Sequence, residues 1–158
     1  DVTIEDIAHA ADLPASGVYR HFPSKVAILE ASFWRATDRV TSAISNALAA
    51  STTPREAIAA MVASYIRLSS SATDLIAIYE TEIGHTTPQA REELRKQQRI
   101  TVDEFATWLT RVRDELSLSQ ARFLVHASLN VVTDLSRQSL PPSPDRIDAL
   151  AMRILLHG

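Results

Sequence analysis

Residues 3–25 read Thr-Ile-Glu-Asp-Ile-Ala-His-Ala-Ala-Asp-Leu-Pro-Ala-Ser-Gly-Val-Tyr-Arg-His-Phe-Pro-Ser-Lys. Local chemistry divides this stretch into two short helices, a tight turn and the start of a third helix. Thr3 is a good N-cap, and Asp6 three residues on can reach back to the cap amide, a variant of the capping box. Ile4, Ile7, Ala8 and Ala11 make one apolar stripe at helical spacing. Asp12 tolerates left-handed backbone better than most residues, so the turn is expected to survive with some strain. Leu13 is expected to plug the angle between the helices, and Pro14 to fall in the first turn of the second, where its missing N–H is not needed. That second helix is expected from about Pro14 to Phe22. Val18 and Phe22 face inward at i and i+4, leaving Ala15, Ser16, Gly17 and Arg20 outward. A short helix presenting small and polar residues from such a pair is how a chain enters a DNA major groove. Small side chains let the backbone approach base edges, and Arg20 can reach a guanine edge or a phosphate. The Thr3 hydroxyl can serve a phosphate as well as the cap.

These residues and their order closely resemble the helix-turn-helix of the TetR/AcrR family of bacterial transcription regulators. The resemblance implies that Tyr19, His21 and Lys25 contact phosphates, which fix register while base contacts carry sequence information. It implies an all-α, TetR-like fold in which DNA binding is coupled to a ligand-sensing domain. Asp12 stands where the family usually has glycine, and Pro14 where it more often has a capping serine. Between Asp1 and Lys25 there are two Lys/Arg against four Asp/Glu, although DNA binding rests on cationic contacts. The family has another helix before this one, often basic, so the natural polypeptide is expected to be longer. The other reading of residues 3–25 is a plain helical hairpin of a bundle.

The chain has 158 residues, a net charge of −3 and no cysteine. That length suits one domain or one plus a small appendage. The lack of cysteine excludes a disulfide framework and a thiolate metal site, and the net charge does not indicate a general polyanion binder, so any DNA affinity must be local. With no membrane-length apolar run and no visible signal peptide, a cytoplasmic protein is the expectation. Beyond Lys25 nearly everything reads as helix. Ser24 caps a long helix with an apolar face of Leu29, Phe33, Ala36, Val40, Ile44 and Leu48. Thr53-Pro54-Arg55-Glu56 starts another, burying Ile58, Met61, Val62, Tyr65 and Ile66. Thr73 opens a shorter helix that stops near Gly84, and Thr87-Pro88 a long amphipathic one.

Helices near 119–138 and 144–157 are apolar on more than one side, which marks burial on two sides. In a chain this small the second side suits another subunit, and the TetR resemblance implies a homodimer through a four-helix interface. The expected seam is Leu124, Val125, Leu129, Val132, Leu150, Ile154 and Leu155. The alternative is that both are simply central core helices.

Other chemistry is sparse. Glu82-Ile-Gly-His85 has the Glu-x-x-His spacing of di-iron bundles, but no second such motif exists. Asp6-Ile-Ala-His9 is similar in spacing yet lies inside the helix-turn-helix. No metal site and no cofactor are expected, and the absence of nucleophile or phosphate-loop motifs argues against an enzyme. The four basic and two acidic residues from Arg91 to Arg99 read as a solvated helix face rather than a nucleic-acid patch. An effector pocket, which the resemblance implies, has its candidate lining in Trp34, Tyr79, Phe105, Trp108, His126 and Asn130; each is equally readable as a core residue. The expected organisation is a helix-turn-helix domain over 1–48 and an effector-binding, dimerising domain over 49–158. The expected function is a repressor on an inverted-repeat double-stranded operator, released by a small hydrophobic or amphipathic effector. The rival is a helical small-molecule or metal-binding protein, possibly an enzyme, that does not bind DNA.

Overall fold

The computed structural model describes residues 2–158, and every regular element among them is helical. The order is α1 Ile4–Ala10, α2 Ala15–His21, α3 Lys25–Ala49, α4 Pro54–Ser71, α5 Thr73–Glu82 with a 3₁₀ turn Ile83–His85, α6 Pro88–Val112, α7 Leu118–Ser136 and α8 Pro144–His157.

The helix starts follow the capping chemistry of the sequence. Thr3 accepts from the Asp6 N–H while the Asp6 carboxylate takes the Thr3 N–H, closing a reciprocal box. Thr53 and Glu56 do the same at α4, and Ser24 and Thr87 cap α3 and α6. One box was not expected although its Ser-x-x-Gln spacing stands in the sequence: Ser117 and Gln120 start α7, two residues ahead of the expected Ser119. Asp12 takes φ 55°, the left-handed turn conformation that Asp accepts at modest cost. Pro14 lies just outside α2 as its N-cap, and no side chain caps that helix.

Two apolar clusters organise the chain. The small one joins Ile4, Ala8 and Val18 to the partly buried Ala15, Phe22 and Ile28. The large one is built from α3, α4, α6, α7 and α8, with Ile58, Met61, Phe105, Leu109, Val125 and Leu155 fully enclosed. Each such side chain contributes about 1.5–3 kcal/mol by leaving water. Helix α3 belongs to both, giving Ile28 to the first and Ile44 and Ala47 to the second. Its 25 residues span about 37 Å at 1.5 Å each. Helix α5 is the exception, because none of its residues is buried.

Three expectations are corrected by the packing. Leu13 does not plug the interhelical angle; it is 55% exposed, because its backbone N–H bonds the Ala8 carbonyl at 2.9 Å and the side chain is left outside the cluster. Ala11 is likewise exposed. Of the expected seam, Val125, Leu129, Val132 and Leu155 lie in the subunit's own core, so their surface is already spent. The second apolar side of these helices is instead Phe123, 73% exposed, with Leu150 and the half-exposed Leu124 and Ile154.

Candidate functional site

The small cluster decides what α2 shows to solvent. Burying Val18 and part of Phe22 turns Ser16, Tyr19, Arg20 and His21 outward, with Ala15 and Gly17 half-exposed at the front of the helix. Lys25 is exposed at the first turn of α3, one residue after the Ser24 cap. The eight residues expected at the DNA surface are thus accessible in some degree, Thr3 among them. Gly17 has a particular environment: a β-carbon there would meet only Pro14 side-chain carbons, at 3.4 and 3.8 Å. These are ordinary contact distances, and its φ is not positive, so the fold itself does not demand glycine.

Two hydroxyls on this face are occupied by acids. The Thr3 hydroxyl donates to Asp6 Oδ2 at 2.7 Å, and the Tyr19 hydroxyl donates to Glu5 Oε1 at 3.1 Å. The capping contacts hold the Asp6 carboxyl below its usual range, Thr3 N–H first and its hydroxyl second. Glu5 raises the Tyr19 phenol above its usual range through that hydrogen bond. Sequence reading missed Glu5, since its partner lies on another helix and no spacing rule joins residues 5 and 19.

In the larger domain the expected effector residues separate into three places. Tyr79 is half-buried on α5, its ring edge-on to Phe33 with centroids 4.9 Å apart and planes at 72°. Its hydroxyl accepts from Gln98 Nε2 at 2.9 Å, and desolvation raises its phenol. Trp34 is half-buried on α3, beside Phe33 in sequence. Phe105 belongs to the main core, and Trp108 packs at the margin of that core. The Trp108 indole donates to Glu104 at 2.9 Å, with the Arg111 guanidinium 4.3 Å from the ring centroid. His126 and Asn130 are exposed, which corrects their placement in an interior pocket. Because α7 turns Val125, Ser128, Leu129 and Val132 to the core, positions 126 and 130 fall on its outer face. Asn130 therefore does not interrupt a buried run.

Two grooves lie on α7 and α8. One, of about 310 Å³, is lined by Leu116, Phe123, Leu124 and Gly158. The other, of about 730 Å³, is lined by Leu135, Leu140, the two prolines at 141–142, Arg146 and Leu150. Both flank the outward apolar side rather than Tyr79. Glu82 Oε2 and His85 Nδ1 face each other at 3.1 Å on an exposed turn. From Arg91 to Arg99, exposed pairs join Arg99 to Glu92 at 2.9 Å and Lys96 to Glu93 at 3.9 Å, and Arg91 donates to the Thr86 carbonyl at 3.1 Å. Most of that run is a solvated helix face. Among the described residues no helix is long and apolar enough to cross a membrane.

Comparison with known proteins bears on both halves. Residues 1–32 match the family model described as bacterial regulatory proteins, tetR family. No curated protein matches the chain. The fold is similar to that of the TetR family transcriptional regulator PfmR from Thermus thermophilus, with a TM-score of 0.82 and 19% identity over 98% of this chain and 87% of that one. A TetR-family regulator from Bordetella parapertussis gives 0.82 and 19%, over 99% and 84%. The ketosteroid transcriptional regulator KstR2 of Mycobacterium tuberculosis gives 0.77 and 15%, over 98% and 83%.

Proposed function

We propose that the chain, whose residues 1–32 match the tetR-family model and whose fold is similar to that of solved TetR-family regulators, is a DNA-binding homodimeric repressor, released from its operator by a small hydrophobic or amphipathic effector. The observation that carries the DNA contact is α2, which buries Val18 and leaves Ser16, Tyr19 and Arg20 to the outside. In this reading residues 1–48 bind DNA and 49–158 bind effector and partner. Ser16, Gly17 and Arg20 face bases, while Thr3, Tyr19, His21 and Lys25 hold phosphates; Ala15, expected among the base-facing residues, packs into the small cluster instead.

The dimer is proposed through the outward side of α7 and α8, where Phe123, Leu124, Leu150 and Ile154 leave apolar surface without a partner inside the subunit. The effector site is proposed around Tyr79 and Trp34, beside Phe33 and Gln98. Its support is that α5 buries no residue, and weakly packed elements are those that open to admit ligands. A two-fold dimer presents its recognition helices about one duplex turn, ~34–36 Å, apart. Selection of bound sequences from a random duplex library tests the reading. The expected winner is an inverted repeat with half-site centres one turn apart, and a pool that stays random would refute specific DNA binding.

A further inference from the structure

The phosphate role proposed for Tyr19 meets a chemical constraint. A phenol has one proton, and phosphate oxygens accept hydrogen bonds without donating them. Tyr19 can therefore hold a phosphate only by donating, yet its hydroxyl already donates to Glu5 Oε1 at 3.1 Å. The carboxylate also occupies the place from which a phosphate would take the proton, and two anions cannot share one donor without repulsion.

Stability gives no reason for the pair. Asp6 also takes a hydroxyl proton, from Thr3, but that contact closes the capping box at the start of α1. The Glu5–Tyr19 bond caps no helix, both side chains are exposed, and such surface contacts are worth little to folding. Glu5 adds negative charge to a face that has to meet a polyanion.

We propose that Glu5 is a built-in restraint on DNA affinity that acts through Tyr19: it keeps the hydroxyl proton in the free protein, and DNA must displace it before that phosphate contact forms. Loosely held duplex does not repay the displacement, so the pair lowers non-specific binding most. The proposal rests on the reading of α2 as the DNA-contacting helix.

The test uses the full chain, a labelled duplex of random sequence at low salt, and Glu5→Gln, Glu5→Ala, Tyr19→Phe and each Glu5 variant combined with Tyr19→Phe. Both Glu5 variants are expected to bind about three- to tenfold tighter than the parent. That gain is expected to vanish when position 19 is Phe. In an absorbance titration of the three tyrosines, Glu5→Ala should lower the ionisation pH of one. Unchanged or weaker binding by both Glu5 variants overturns the proposal, as does an unshifted tyrosine. A gain that persists with Phe at position 19 overturns the route through Tyr19 and leaves a plain charge effect. If none of the proteins binds duplex, the DNA-contact reading itself fails and the proposal falls with it.

Discussion

At the scale of single residues, Gly17 is where the proposed DNA contact can be tested apart from folding. Glycine inside a helix costs about 0.5–1 kcal/mol relative to alanine, and the space beside Gly17 admits a β-carbon. Gly17→Ala should therefore raise stability by up to about that amount, read from urea midpoints, while weakening DNA binding if the backbone approaches base edges there. Unimpaired DNA affinity would move the base-reading surface away from the front of α2. Lys25→Ala is expected to weaken all sequences alike and lower the salt slope by about one. Arg20→Ala should lose about 1–3 kcal/mol of discrimination at one base pair, if its contact is bidentate. Binding measured against a salt series and against single-base variants separates the two roles. Residues whose task is local were legible in the sequence: the Thr3 and Thr53 caps and the left-handed Asp12 each depend on neighbours within a few positions. Glu5 and Leu13 were not, because their surroundings are set by how α1, the turn and α2 sit together and not by spacing along one helix.

At the scale of helices, periodicity located α3 to α8 closely but did not say which apolar side of α7 and α8 looks inward. Both sides are apolar, and only packing against α4 and α6 sends Val125, Leu129, Val132 and Leu155 to the core. The outcome of mutation follows from that assignment. Leu129→Glu buries an unpaired charge, so it should cost several kcal/mol and unfold the subunit. Phe123→Glu and Leu150→Glu change the outward side and should leave a folded monomer. Light scattering with circular dichroism distinguishes the outcomes, and a dimer that survives both outward changes would place the interface elsewhere. The α4 start makes a separate prediction about pH. The Thr52 hydroxyl, then the Thr52 and Thr53 N–H groups, hold the Glu56 carboxyl below its ordinary value of 4.5. A folded-state value below the unfolded one means that the stabilisation is fully present above pH 4.5 and is lost as pH falls through the folded value. The urea midpoint of Glu56→Gln should thus lie below the parent's at neutral pH and approach it in acid. A constant gap would show that the Glu56 charge does not contribute.

At the scale of the molecule, α3 is the element that both proposed sites share. It begins with Lys25, the proposed phosphate contact, and is tied to the larger domain from its second turn on. Glu30 Oε1 accepts from both the N–H and the hydroxyl of Thr87, each at 2.8 Å, tying α3 to the start of α6. One turn on, Phe33 meets Tyr79 of α5, which in turn meets Gln98 of α6. An effector that displaces Tyr79 would therefore act on α3 at Phe33, about two turns from Lys25, and in the proposed dimer the tilt of α3 would set where each α2 points. Such coupling must be reciprocal: DNA weakens effector binding by the factor by which effector weakens DNA binding, typically about 1–3 kcal/mol. Glu30→Gln, which weakens the tie without entering either proposed site, should shrink that factor while leaving DNA affinity in the absence of effector nearly unchanged. Once a hydrophobic ligand that shifts the melting temperature is in hand, its titration against free and operator-bound protein measures the factor directly. Equal affinity in the two titrations would exclude ligand-released repression, because a ligand with no preference between two states moves neither.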